Sequence, residues 1–372
     1  MYCADCEKIE NYFYSETCFW IFFPTIESIN KAIVFCGQNH YQAVQKDEKC
    51  LAITIKHAQI KRFLFGLYGE FEPSELACTK ITTTDGSELS ISGLSINDIG
   101  KIVTADVLIN RFNSTWISQS IDDEKYETHF QPIFKLENNE IKPFAFEGLF
   151  RIKDEFDNIV PPAHVFKLAE SSDLLFSVDL VARRSAVSHF SKSQLNGKLF
   201  INFDPTSIYD PSYCLRATAS AINALGIKPE DVVFEITETH SVQDESVMRG
   251  ILNFYRNAGF GVALDDIGSG WSGLNMLHKY RPDYVKIDMD LVRDLDSDPY
   301  KQTIVKHLVH IAKDNNIKVI AEGIETQGEF EILKSYNTDF YQGFLLQKPA
   351  LFESNVSDER SKEIDNILRG IK

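Results

Sequence analysis

Residues 260–292 read FGVALDDIGSGWSGLNMLHKYRPDYVKIDMDLV, and the fold turns on them. An apolar run from Phe260 stops at two acids, Asp265 and Asp266; a second run starts at Tyr284, carries Lys286 and stops at Asp288. Between them lie a glycine-rich turn and enough chain for one helix, so the two runs are neighbours in a βαβ unit. The same rhythm extends outward. HFQPIFKL (129–136), IKPFAFEGLFRI (141–152), KLFINFDP (198–205), DVVFEITE (231–238), IKVIAEGIE (317–325) and FYQGFLLQKP (340–349) are strand-like. DLVARRSAVSHFSKS (179–193), ESVMRGILNFYRNAG (245–259) and KQTIVKHLVHIAKDNN (301–316) are helical. Strands alternating with helices mean parallel pairing in an α/β fold. About eight strands in roughly 230 residues is the size of a (β/α)8 TIM-like barrel. A doubly wound open sheet has the same alternation, and counting leaves both open.

The polar residues of these runs sit late in each one: Glu147, Asn202, Glu235, Asp265 with Asp266, Lys286, Glu322 and Gln342. In a barrel, late strand positions converge on the C-terminal mouth, where active sites are built. An unpaired buried carboxylate costs several kcal/mol, so five of them with one carboxamide call for compensating cations. Oxygen ligands without His or Cys favour Mg²⁺ or Mn²⁺ over Zn²⁺. A helix N-cap explains any one of these acids alone; it does not explain the set.

The same residues carry a family resemblance. QPIFKLENNEIKPFAFEGLFR (131–151) resembles the signature of EAL-domain cyclic-di-GMP phosphodiesterases, with Glu147-Gly148-Leu149 in place of Glu-Ala-Leu. INFDP, FEITET, ALDDIGSG, YVKID, IAEGIET and YQGFLLQKP continue it, in order, over residues 126–352. The resemblance implies a barrel whose first strand is antiparallel to the rest, two metal ions at its mouth, dimerisation through the barrel, and hydrolysis of cyclic-di-GMP to linear pGpG. It places Glu147, Asn202, Glu235 and Asp265 on one ion, and Asp265, Asp266 and Glu322 on the second. It gives Lys286 contact with the attacking water, Glu238 the bracing of the loop after Asp266, and Gln342 an active-site position. Arg151 would grip a substrate phosphate and Gln131 would touch the nucleotide. Two ions can clamp the attacking and leaving oxygens of a phosphodiester, and a lysine can orient the water. Gly148, Ile267 and Ser269 depart from the commoner Ala, Phe and Thr, and no charged position is lost. A catalytically silent cyclic-di-GMP receptor or protein-binding barrel is the competing reading, and it has no need of Lys286 with the full acidic set.

Composition sets the outer bounds. The 372 residues correspond to about two to three domains, or to one barrel with a small partner. Hydrophobic and charged fractions of 44% and 25% exclude a disordered or collagen-like chain. The net charge of −16 opposes binding to a nucleic-acid polymer or an anionic membrane, but not to a small phosphate ligand held through cations. No apolar stretch reaches the ~18 residues of a membrane span. The first ten residues, MYCADCEKIE, lack the basic patch and apolar run of a secretory signal, which makes a cytoplasmic location the expectation. Seven cysteines, six of them before residue 79, form no disulfide or zinc pattern.

Residues 1–94 are expected to be a regulatory α+β domain of unknown signal and partner. FWIFFPT (19–25), KAIVFCG (31–37), CLAITIK (50–56) and RFLFGLYGEF (62–71) suit strands, and TTTDGSELSISG (82–93) suits a hairpin about Asp85-Gly86. Its aromatics fit a core better than a ligand pocket, and a cysteine-based redox input is a weaker possibility. Residues 95–125 have helical periodicity and are expected to form one connecting helix; 126–355 are the barrel and 356–372 a terminal helix or tail. Three further motifs carry no function. Gly268–Gly273 fits the dinucleotide pattern, but the preceding Asp265 and Asp266 would repel a pyrophosphate. The acidic run from Asp288 to Asp298 lacks the glycine and glutamate of a calcium loop. No G-x-S-x-G elbow is present.

Overall fold

The computed structural model describes residues 12–86, 94–208, 211–237, 245–268 and 273–352. The chain divides into two compact units. Of the described residues, one is built from Tyr126–Ile152 and those from Asp179 onward; the other comprises those up to Lys125 together with Lys153–Val178.

The smaller unit contains β1 (Glu16–Phe22), α1 (Ile26–Gln38), β2 (Ala43–Asp47), β3 (Cys50–Lys56), α2 (His57–Glu70), α3 (Pro73–Cys78), β4 (Lys80–Asp85), α4 (Ile96–Gly100), β5 (Val103–Thr104), α5 (Ala105–Asn113) and α6 (Thr115–Asp122). Its sheet is antiparallel in the order β2-β3-β1-β4-β5. Alternation along the strands sends Phe19, Ile21, Leu51, Ile53, Ile55 and Ile81 into one core with the helices. FWIFFPT and CLAITIK thus form strands, but KAIVFCG and RFLFGLYGEF are helical. The burial period decides it: Ile29, Ala32, Phe35 and Cys36 are buried on α1, and Ile60, Phe63, Leu64 and Leu67 on α2, all at helical spacing. Phe19, Phe23 and Phe63 are core residues, whereas Phe65 and Tyr68 are exposed.

The single helix expected over 95–122 is instead three helices and a strand. The β-branched Val103-Thr104 pair extends the sheet beside β4, and Ala105, Leu108 and Ile109 then turn into its core. The hairpin about Asp85-Gly86 would need residues 87–93, which lie outside the described residues; β4 itself pairs with β1 and β5. β8 (Ile159–Val160) and α7 (Pro162–Ser171) belong to this unit as well. Arg111 fastens that segment, donating from Nε to Ser172 O (3.0 Å) and from Nη2 to Asp173 Oδ2 (2.7 Å).

The larger unit is a closed eight-stranded barrel. It contains β6 (Tyr126–Glu137), β7 (Glu140–Lys153), α8 (Leu175–Ser193), β9 (Lys198–Asn202), α9 (Pro211–Ala224), β10 (Val232–Thr237), α10 (Glu245–Asn257), β11 (Gly261–Ile267), α11 (Gly273–Tyr280), β12 (Tyr284–Ile287), α12 (Met289–Val292), α13 (Pro299–Asp314), β13 (Lys318–Ala321), α14 (Gln327–Ser335) and β14 (Phe340–Tyr341). The order β6-β14-β13-β12-β11-β10-β9-β7 closes through β6–β7, which excludes the open sheet. Among the described barrel strands only β6 runs antiparallel to its neighbours, on both of its edges. Strands covered on both faces read as unbroken apolar runs: Leu199, Phe200 and Ile201 are all buried. Ile133, Ala145, Phe200, Val233, Ala263, Ile320 and Phe340 fill the interior. The acidic run 288–298 resolves into helix caps: Asp288 accepts from Asp290 N, and Asp298 from Tyr300 N and Lys301 N.

Gly148 has a steric reason. A Cβ built there would lie 3.0 Å from Ala186 Cβ on α8, tighter than an ordinary contact. Gly148→Ala is expected to cost about 1–2 kcal/mol by overpacking. A double-mutant cycle with Ala186→Gly, followed by urea unfolding, should show about 1 kcal/mol of favourable coupling. Zero coupling would mean that this contact is not the constraint.

Candidate active site

The late positions of seven strands meet at one end of the barrel. Glu147 comes from β7, Asn202 from the last residue of β9, Glu235 from β10, Asp265 and Asp266 from β11, and Lys286 from β12. Glu322 and Gln342 follow β13 and β14 directly. Lys286, 1% exposed, stands at the centre. Its ammonium lies 2.5 Å from Glu322, 2.8 Å from Glu235, 3.2 Å from Asp265 and 3.4 Å from Glu147. Asn202 Nδ2 donates to Glu147 Oε1 (2.9 Å) and Gln342 Nε2 to Glu147 Oε2 (2.7 Å), so two amides fix that carboxylate.

Adjacent residues of a regular strand face opposite sides, yet Asp265 and Asp266 offer oxygens that lie within 4.8 Å of each other and of Glu322. A bulge resolves this. Between Leu264 and Ile267 the pairing of β11 with β12 slips by one residue, and Asp266 takes the left-handed conformation (φ +56°), which Asp tolerates better than most residues.

Charge does not balance among these groups. Five carboxyl groups face one ammonium, a formal excess of four negative charges that two divalent cations would cancel. Glu235 is fully buried; among the described residues its Oε1 lies 2.8 Å from the Lys286 ammonium and its Oε2 has no hydrogen-bond partner. The donor set of carboxylates and one carboxamide suits hard cations such as Mg²⁺ or Mn²⁺. The residues present therefore fit such ions.

The same crowding sets the protonation states. Burial raises the Glu235 and Glu322 carboxyls well above the usual range, with Lys286 opposing and neighbouring acids reinforcing the shift. Burial likewise raises Asp265, and burial together with Asp265 pushes Asp266 up to about 7. For Glu147, burial is outweighed by Lys286, Gln342 and Asn202, which hold its carboxyl below the usual value. Burial disfavours the Lys286 ammonium, but Asp265, Glu147, Glu235 and Glu322 overcome it and raise its pKa well above that of an ordinary lysine.

Gln131 is directly opposite Glu147 on β6, and its amide donates to Gln347 O (3.1 Å) rather than to the carboxylates. Arg151, four residues beyond Glu147 on β7, is half-buried and donates to Phe150 O (2.9 Å). Glu238 lies outside the described residues. Sequence reading passed over Glu127 and His129, paired at 2.8 Å on the same face of β6 as Gln131. It also passed over Glu329, although the T-x-x-E spacing of Thr326 and Glu329 is a capping-box signal.

A closed barrel with an acidic, lysine-centred mouth defines a class, and comparison gives the family. The EAL domain matches residues 114–349, and the chain belongs to that family. It is 29% identical over 246 residues to the probable cyclic di-GMP phosphodiesterase PdeG of Escherichia coli, covering 63% of this chain and 47% of that protein. The chain thus spans about half or less of the length of the curated relatives it matches. Among solved structures it resembles the c-di-GMP-bound form of a standalone EAL protein from Vibrio cholerae, with 34% identity, TM-score 0.55, 63% of this chain and 97% of that one covered. The Klebsiella pneumoniae BlrP1 manganese/cy-diGMP complex covers 90% of this chain and 96% of its own at 21% identity and TM-score 0.55, a likeness of fold alone.

Four raised carboxyl groups make the ion-free protein pH-sensitive. Between about pH 4, where unfolded carboxyls titrate, and the higher folded values, the native state binds more protons than the unfolded state. Stability therefore falls as pH rises. In chelator-treated protein the urea midpoint should drop from pH 5 to pH 8, and Asp266→Asn should flatten the slope below pH 7. A wild-type midpoint that climbs with pH would contradict this electrostatic picture.

Proposed function

We propose that the chain is a phosphodiesterase that opens cyclic-di-GMP to linear pGpG with two Mg²⁺ or Mn²⁺ ions. The observation that carries the reading is the cluster of five carboxylates about Lys286, three of them buried. A diester ligand bearing two phosphate charges has no reason to enter such a ring unless cations intervene. Glu147, Asn202, Glu235 and Asp265 would hold one ion, and Asp265, Asp266 and Glu322 the other. Bound there, the ions would acidify a water and neutralise charge developing on the phosphate. In the reaction the water gives up one proton as its oxygen bonds to phosphorus, one bridging P–O bond breaks, and the leaving oxygen takes up one proton to become a free hydroxyl, so that the net change is the addition of one water.

The chain's own residues divide the remaining work. The carboxylates around Lys286 favour its ammonium form, and as a donor it would orient the attacking water. Asn202 and Gln342 hold Glu147 in one orientation and keep it ionised. Arg151, four residues beyond Glu147 on β7, would meet a phosphate of the substrate, and Gln131, opposite Glu147 on β6, would touch the nucleotide. The same proposal includes a dimer through the barrel, a cytoplasmic setting and regulation by the smaller unit. Redox input through its buried thiols has little support, because burial pushes Cys36 and Cys50 up to about 11, far from the reactive thiolate.

Purified protein incubated with cyclic-di-GMP and Mn²⁺ should yield linear pGpG on chromatography. Lys286→Ala should lower kcat by about 10²–10³-fold, and Glu235→Gln should abolish both turnover and manganese-induced thermal stabilisation. Tight nucleotide binding without product would favour the silent receptor; neither binding nor product would overturn the substrate assignment.

A further inference from the structure

Glu329 makes no contact with Lys286 or with the acidic ring, yet it is 3% exposed on α14 and fully engaged. Its Oε2 accepts the backbone N–H groups of Glu325 (2.8 Å) and Thr326 (3.0 Å). Its Oε1 accepts the N–H of Asp294 (3.0 Å), thirty-five residues away in the chain. Its own N–H donates to Thr326 Oγ1 (3.2 Å). A capping box needs only the exchange between Thr326 and Glu329. The bonds to Glu325 and Asp294 go beyond it, and each belongs to a different loop.

Those loops carry the site. Glu325 lies three residues after Glu322, in the connection leaving β13; Asp294 lies in the connection leaving β12, which bears Lys286. Asp294 takes the left-handed conformation (φ +57°). The post-β13 loop is tied in turn to the loop after β14: Ile324 N donates to Gln342 O (3.1 Å) and Leu345 N to Ile324 O (3.0 Å). Gly343 has no room even for a Cβ, which would lie 2.1 Å from Ile324 O. The three loops behind Lys286, Glu322 and Gln342 are therefore one hydrogen-bonded assembly, and Glu329 is the side chain that joins the first of them to the second. The surface pair Arg293–Glu325 spans the same gap at 2.7 Å, but half-exposed ion pairs contribute little.

We propose that Glu329 is a positioning residue that fixes the distance between the post-β12 and post-β13 loops, and so holds Glu322 in register with Asp265 and Asp266 for cation binding. The proposal rests on the metal-dependent reading above. Groups that orient ligands in this way typically change metal affinity by about 10–100-fold when altered.

Glu329→Gln separates the clamp from the cap. Glutamine serves in a capping box, but its amide has one acceptor oxygen, so the Asp294 N–H and the Glu325–Thr326 pair cannot both be met. Thr326→Ala is the complement, removing the cap hydroxyl and leaving both carboxylate oxygens. With Mn²⁺ as the probe, the concentration giving half the maximal thermal upshift should rise about tenfold in Glu329→Gln. Its kcat at saturating Mn²⁺ should recover toward wild type. Thr326→Ala should lower the melting temperature while moving the manganese midpoint by no more than about twofold. An unchanged midpoint in Glu329→Gln, or equal shifts in both variants, overturns the proposal. Amide hydrogen exchange supplies a metal-independent arm: peptides spanning 287–295 and 320–326 should lose protection together in Glu329→Gln alone. Should wild type show no manganese response, the metal reading fails, and retained protection in those two peptides would overturn the clamp on its own.

Discussion

One buried ammonium among five carboxyl groups is the constraint around which the barrel is arranged. Lys286 approaches four of those groups within 3.4 Å while almost wholly shielded from water. Removing one charge from such a cluster leaves the others uncompensated, a loss of about 3–5 kcal/mol for a single buried pair. The surroundings consequently have little freedom. Amides from β9 and the β14 loop are committed to Glu147, β11 carries a bulge so that two consecutive aspartates serve one site, and Gly343 lets two loops touch backbone to backbone.

That constraint explains what was legible in the sequence. Strands covered on both faces must be apolar throughout, so a charged residue near the end of such a run stands out against its background. Glu147, Glu235, Asp265 and Lys286 announced themselves in this way, and parallel strands bring equivalent positions to one end. The antiparallel first strand came from resemblance alone, since no periodicity distinguishes β6 from its neighbours.

What stayed hidden has equally physical causes. The seven- to ten-residue apolar runs at 31–37 and 62–71 fit either a strand or one face of a helix, and only the burial of Phe63, Leu64 and Leu67 on a common face settles the matter. The segment 95–125 has helical periodicity in most of its length, but Val103-Thr104 finds a free sheet edge beside β4, and tertiary pairing overrides the local pattern. A bulge leaves no mark in composition. Neither does a carboxylate such as Glu329, whose partners are backbone N–H groups of any residue type.

The distinction between an enzyme and a ligand-binding barrel can be argued from charge. Proteins that capture phosphate ligands directly do so with arginine forks, helix N-termini and backbone N–H groups, all of them positive ends of dipoles or full cations. This mouth offers the reverse: oxygen atoms, a formal excess of four negative charges, and one lysine already engaged by those oxygens. Such a surface has few free donors for a phosphodiester, and divalent cations would supply the missing positive charge. The five acids are therefore unexplained by direct capture of an anionic ligand and fit the binding of divalent cations.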